Sequence, residues 1–389
     1  MYPYSIDFKL SKFIIGFLST IFISNLMNKK SGFANVFFDV LILFTFIPFA
    51  SVLCFLNYPI WYLLVPFLIV STALLSEKIF SKMPLFEIRE INIFPEKLFK
   101  FSIFIFFLIT ISLFLNAGGG ISLNFLQTYI DAYNLREDIK YTGLLGYLTG
   151  WYYFLIPLII SFLLCKKLYL LSLLFIPAAF LIYSILPVTM LPVLVICSLI
   201  IGFLFIYKRG ILAKYIPYIF NLSLFLLSFI PHPWVKLFIN RSYYIPSINS
   251  IFYVDYFSNN PLRYFFGSFL DSGIRYDLNL QGLIIDSFYY YGKGTNHSAG
   301  WIPIMFSNIG LFGTIISSIF VVLVLHILQR LKYISNLTSY LISFVYALLL
   351  INIPFPQMFL SNGLIFIILI SFLLPKKIKN SPKIYKYEK

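Results

Sequence analysis

Long apolar runs alternate with short polar ones along the whole chain, and about 20 mostly apolar residues are what a membrane-spanning helix needs. Such runs lie near 11–27, 35–56, 58–76, 98–116, 145–165, 168–186, 189–207, 211–230, 301–328, 338–353 and 360–375. Residues 168–207 carry no charge at all. As one helix they would extend about 60 Å at 1.5 Å per residue, twice the hydrocarbon core of about 30 Å, so the pattern predicts a hairpin. Leu186-Pro187-Val188-Thr189 offers its turn, because proline breaks the helical ladder. Asn57-Tyr58-Pro59 does the same between the second and third runs, and Pro354 and Pro356 separate the last two. The prediction is an all-α polytopic membrane protein with about 11 transmembrane helices, or ten to twelve if the first run is interfacial.

Two polar stretches are longer than the helices need. One covers 117–142, the other 231–300, and connections beyond about 15 residues are usually functional or disordered. The second is rich in Tyr, Phe and Ile, including Phe288-Tyr289-Tyr290-Tyr291. That composition predicts that it packs against the membrane domain and roofs a cavity. The chain, 1–389, reads as a single membrane domain with a basic tail at 376–389.

Composition strengthens this picture. Hydrophobic residues make up 60% and charged residues 11%, against about 25% charged in soluble domains. Cys54, Cys165 and Cys197 all fall inside apolar runs, where free cysteine packs as a small hydrophobe. Their odd number and lack of paired spacing argue against a disulfide framework or a zinc site. Lys9 and Lys12 precede the first apolar run, but no small-residue cleavage pattern follows; the expectation is a retained segment.

Charge supplies an orientation. Basic residues cluster at Lys29-Lys30, residues 77–100, Lys166-Lys167, Lys208-Arg209 with Lys214, Arg330 with Lys332, and the C-terminal tail. These regions hold 20 basic and 5 acidic residues, whereas the two long stretches together hold 7 of each. The net charge of +15 therefore lies on one face, which the positive-inside rule makes cytoplasmic. The same rule accounts for the basicity without nucleic acid. Trp61, Trp151, Trp234 and Trp301 fall near the ends of runs on the opposite face, the placement of an interfacial aromatic belt.

That opposite face carries charges of both signs in equal number. The short stretch has Asp131, Arg136, Glu137, Asp138 and Lys140. The long one has His232, Lys236, Arg241, Asp255, Arg263, Asp271, Arg275, Asp277, Asp286, Lys293 and His297. Within apolar runs only Asp39 and His326 stand out. Ion-coupled transporters place ionisable groups near the bilayer midplane, so this distribution points instead to an enzyme at the membrane surface.

Several short motifs occur in a telling order: Tyr133-Asn134-Leu135-Arg136, Gly146-Tyr147-Leu148, Arg241-Ser242-Tyr243-Tyr244 and Tyr256-Phe257-Ser258-Asn259-Asn260-Pro261. Asn296-His297-Ser298-Ala299-Gly300 and Asn308-Ile309-Gly310-Leu311-Phe312-Gly313 follow. In this order the chain resembles the bacterial O-antigen polymerases, the oligosaccharide repeat-unit polymerases of surface-polysaccharide assembly. The resemblance covers most of the chain and rests on weak motifs. It implies a multi-pass inner-membrane protein whose active face is periplasmic. Its substrate would be an oligosaccharide on undecaprenyl pyrophosphate, and a chain-length regulator and a flippase would be its partners. The growing chain would pass to the next lipid-linked unit as the donor's lipid pyrophosphate leaves.

The residues suit that chemistry. Arginine gives a leaving pyrophosphate planar, bidentate positive charge, and stabilising developing charge is typically the largest catalytic contribution. No Asp-x-Asp occurs, so the expected glycosyltransferase needs neither metal nor cofactor. Arg136, Arg241, Arg263 and Arg275 are the candidate pyrophosphate ligands, with Arg275 also catalytic. Arg136, flanked by Glu137 and Asp138, reads equally as a solvated ion pair. His297 is the candidate general base, although a lone histidine is more often structural. Gly118-Gly119-Gly120 lacks a helix signature and is a loop start rather than a phosphate loop. An O-antigen ligase would share the architecture, a lipid-linked oligosaccharide flippase would need charges lining its bundle, and a purely structural component would not need the arginines.

Overall fold

The computed structural model describes residues 8–27, 32–83, 95–116, 148–185, 190–207, 218–219, 222, 226, 244–262, 300–353, 355–360 and 362–373. Every element among them is helical and none is a strand. In chain order these are α1 (Leu10–Leu26), α2 (Gly32–Leu41), α3 (Ile47–Phe55), α4 (Leu64–Phe80), α5 (Pro95–Asn116), α6 (Tyr152–Cys165) and α7 (Tyr169–Leu173). They continue with α8 (Phe175–Ile185), α9 (Met190–Tyr207), α10 (Ile245–Asn259), α11 (Trp301–Leu328), α12 (Asn336–Asn352), α13 (Phe355–Leu360) and α14 (Leu364–Leu373). Five helical stretches among the described residues are long and apolar enough to cross a membrane: Ala34–Phe55, Ile60–Phe80, Glu96–Leu115, Leu148–Cys165 and Trp301–Lys332. Shorter apolar helices cover Leu10–Leu26, Tyr169–Ile185, Leu191–Tyr207, Asn336–Asn352 and Leu364–Leu373. The protein is thus a helical, membrane-embedded chain. The run at 211–230 lies largely outside the described residues.

The helices divide into two units. The first comprises Met1–Met83, Pro217–His326 and Tyr346–Phe355. Here α1 runs antiparallel to α3: Gly16 meets Ala50, while the Lys9 amide donates to the Cys54 carbonyl at 2.9 Å. Lys12 Nζ donates to the carbonyls of Leu53, Leu56 and Tyr58 at 3.3, 2.7 and 2.6 Å. A cation at a helix C-terminus satisfies carbonyls that the ladder leaves over, so Lys12 has a structural task at the end of α3. The outward face of α1 is bare and apolar, with Leu10, Phe13, Phe17 and Leu18 exposed.

Between α2 and α3 the ladder widens to a π-turn at Ile42–Phe46. Pro48 explains it. Proline lacks an N–H and its ring crowds the carbonyl four residues earlier, which a wider turn accommodates. A second irregularity divides α11, expected from sequence as one span over 301–328. Ile309 (φ −139°, ψ 20°) and Gly310 (φ 63°, ψ −148°) leave helical geometry. A Cβ on Gly313 would stand 2.7 Å from the Met305 carbonyl oxygen, a closeness between residues eight apart that a straight helix forbids. Residues 301–308 therefore form a short helix bent back against 311–328.

The second unit comprises Pro84–Ile216, Ile327–Val345 and Pro356–Lys389. Thr110 and Tyr152 join α5 to α6 by a 2.9 Å hydroxyl pair, and Phe99 stacks on Phe162 with centroids 4.0 Å apart. Helix α6 ends in a Schellman turn: Lys167 adopts φ 61°, and the Leu168 and Lys167 amides donate to Leu163 and Leu164. Lys166 pairs there with Glu96 at 2.8 Å. On either side of the predicted hairpin turn, α8 and α9 pack against each other; the turn itself, 186–189, lies outside the described residues. Ser161, Ser335 and Thr338 form a buried hydroxyl chain with links of 2.9 and 2.7 Å, the small polar contact that holds membrane helices together.

Candidate functional site

Helix α10 falls inside 231–300, the stretch expected to be an outer loop, and it is deeply buried in the first unit. Asn249, Ile251, Tyr253 and Val254 are fully enclosed. Along the helix its neighbours change. Near Asp255 it meets the start of the Ile60–Phe80 helix, where Tyr62 Oη donates to Asp255 Oδ1 at 2.5 Å. Tyr58 sets its ring against Phe252. At the other end, Pro246, Ser247 and Ser250 lie beside Phe44, Thr45 and Phe49, halfway along Ala34–Phe55.

At that depth lies a small cavity, lined also by Trp301, Ile302 and Pro303 of the bent-back helix and by Leu350 and Ile351 at the end of α12. The entry of α11 fits this place because residue 300 is glycine: a Cβ there would stand 2.0 Å from the Ile351 carbonyl oxygen. Two side chains that line the cavity have polar atoms without a hydrogen-bond partner among the described residues, Thr45 Oγ1 and Trp301 Nε1. Both amide atoms of Asn249, elsewhere on α10, are likewise without one. Most other helical hydroxyls bond back to their own helix, as Ser71, Ser102, Thr110 and Ser250 do. Thr45, by contrast, sits in the π-turn.

The sequence-derived candidates Arg136, Arg241, Arg263, Arg275 and His297 all lie outside the described residues, as do His232 and the stretch 117–142. Other expectations change. Trp301, expected in an interfacial belt, is 1% exposed in the core; its position at the start of an apolar run looked the same either way. Trp61 is exposed, as an interfacial ring can be. Glu77 and Arg330, counted with the basic regions that orient the chain, are buried, and Arg330 faces the Phe372 ring at 6.0 Å. Cys165, expected to pack inside, is exposed at the last turn of α6. Asp39 does have a partner: Tyr218 Oη donates to its Oδ1 at 2.7 Å. His326 is half-buried near the Phe80 ring.

Asn249, Thr45 and Trp301 were missed from sequence. The one available signal was the spacing of small polar residues in Ile245-Pro246-Ser247-Ile248-Asn249-Ser250-Ile251, unusual for an element that must be buried. No group of three or more His, Cys, Asp or Glu capable of holding a metal occurs among the described residues. No protein-family model, curated protein or solved structure matches the chain.

Proposed function

We propose that this protein is a membrane-embedded, metal-independent glycosyltransferase of the repeat-unit polymerase kind. It joins undecaprenyl-pyrophosphate-linked oligosaccharides at the periplasmic face of a bacterial inner membrane, with about 11 spans. The observation that carries this reading is the burial of α10. Arg241 precedes Ile245 by four residues and Arg263 follows Asn259 by four. Helix α10, which lies between them in the chain, is packed among apolar helices, and this supports a donor met at the membrane. The one-sided net charge of +15 supports the orientation, and the arginines suit a pyrophosphate leaving group.

A lipid-linked oligosaccharide flippase is the second reading, and the bent-back helix 301–308 favours it, since broken helices meeting at mid-depth are a transporter device. A deletion strain separates the two. Loss of long polysaccharide with retention of single capped units is expected for the polymerase. Loss of both long chains and capped units identifies the flippase, and full-length polymer overturns either role.

A further inference from the structure

The cavity beside Thr45 has about 20 Å³ in which the centre of a water-sized group can lie. That is room for one small polar group and not for a sugar ring. Its polar atoms constrain what fits. Trp301 Nε1 can only donate, whereas the Thr45 hydroxyl can donate and accept. The Ser250 hydroxyl already donates to the Pro246 carbonyl at 2.7 Å, so it offers only lone pairs. An unmet donor in an apolar interior is costly, so the cavity calls for a polar occupant.

Charge narrows the choice. No ionisable side chain is among the described residues that line the cavity, and a buried ion without a counter-charge is strongly disfavoured. The last residues of α12, Leu350 and Ile351, bring the negative end of a helix to the same place, which further disfavours an anion. A carboxylate to hold a cation is equally lacking among the described lining residues. What remains is a neutral group that both accepts and donates, which a single water or the hydroxyl of a ligand can be.

We propose that this cavity is a binding subsite for a hydroxyl-bearing arm of a neutral polyol or sugar. The hydroxyl oxygen accepts a hydrogen bond from Trp301 Nε1 and exchanges one with Thr45 Oγ1. The identity of the sugar, though not the subsite, rests on the polymerase reading: there the arm belongs to the lipid-linked unit.

The test follows the indole N–H resonances of the full-length protein in nanodiscs, labelled with 15N-tryptophan. Trp301 is assigned by the peak lost in Trp301→Phe. Should that variant fail to fold, it is assigned by elimination with Trp61→Phe, Trp151→Phe and Trp234→Phe. Titration with glycerol, the minimal probe, is expected to move the Trp301 peak saturably, and inorganic phosphate to leave it in place. Thr45→Val removes one hydrogen bond and should weaken the glycerol response about three- to tenfold. An unmoved peak with glycerol, an equal response to phosphate, or an unchanged response in Thr45→Val overturns the subsite. The purified lipid-linked repeat unit separates the two claims. If glycerol moves the peak and the lipid-linked unit neither moves it nor stabilises the protein, the subsite stands and the polymerase reading falls. If the unit stabilises the protein without touching Trp301, the polymerase reading stands, the arm is not that of the lipid-linked unit, and the glycerol titration decides the subsite.

Discussion

Gly300 and Gly310 are ten residues apart and are glycines for different reasons. At Gly310 the backbone takes φ 63° and ψ −148°, a conformation essentially confined to glycine, while a Cβ would meet only the Leu262 side chain at 3.6 Å. Alanine there bears the conformational penalty alone, roughly 1–3 kcal/mol. At Gly300 a Cβ would overlap the Ile351 carbonyl at 2.0 Å, and backbone has to move. Overpacking of that kind typically costs about 1–3 kcal/mol and occasionally more. The expected outcome is that Gly300→Ala and Gly310→Ala each lower the thermal unfolding midpoint in detergent. An unchanged midpoint in Gly300→Ala would mean that the entry of α11 yields to the extra methyl. Both residues belong to motifs noticed in the sequence, but a motif does not say which glycine is short of space and which is short of conformational freedom.

Run length and proline placement made most helices legible. The runs at 35–56, 58–76, 98–116 and 145–165 match Ala34–Phe55, Ile60–Phe80, Glu96–Leu115 and Leu148–Cys165 within a few residues. The uncharged stretch 168–207 does divide into two apolar helical stretches, Tyr169–Ile185 and Leu191–Tyr207, which pack together. Hydropathy averages over a window, however, and is blind to backbone direction, so the bend at Ile309–Gly310 was invisible although two glycines marked it. The same averaging hid α10, whose serines and asparagine dilute its apolar residues. Its position depends on tertiary ties, of which Tyr62–Asp255 is the shortest described. Tyr62→Phe and Asp255→Asn should each destabilise the protein. Combined, they should cost less than the sum, with a coupling on the order of 1–2 kcal/mol for a charge-assisted bond. Strict additivity in that double-mutant cycle would show that α10 is held by apolar burial alone.

On the scale of the whole molecule, apolar helices carry most of the mass and the arginine-bearing stretches are few, so catalysis on the polymerase reading falls to a small set of side chains. If Arg241 and Arg275 grip the pyrophosphate, its charge rises as the glycosidic bond breaks, and their contribution grows in the transition state. Alanine at either position should then cost on the order of 3 kcal/mol, about a hundredfold in rate, as for other oxyanion donors. Lysine keeps the charge but loses the planar fork and should rescue only in part. Arg263→Ala should be milder. His297→Ala should slow transfer without abolishing donor binding, as expected for a general base. Chain-length distribution measured beside protein abundance decides the matter, because a folding defect lowers abundance and a lost clamp does not. Full-length polymer from well-expressed Arg241→Ala and Arg275→Ala variants would remove the clamp and leave Arg136 as the next side chain to test.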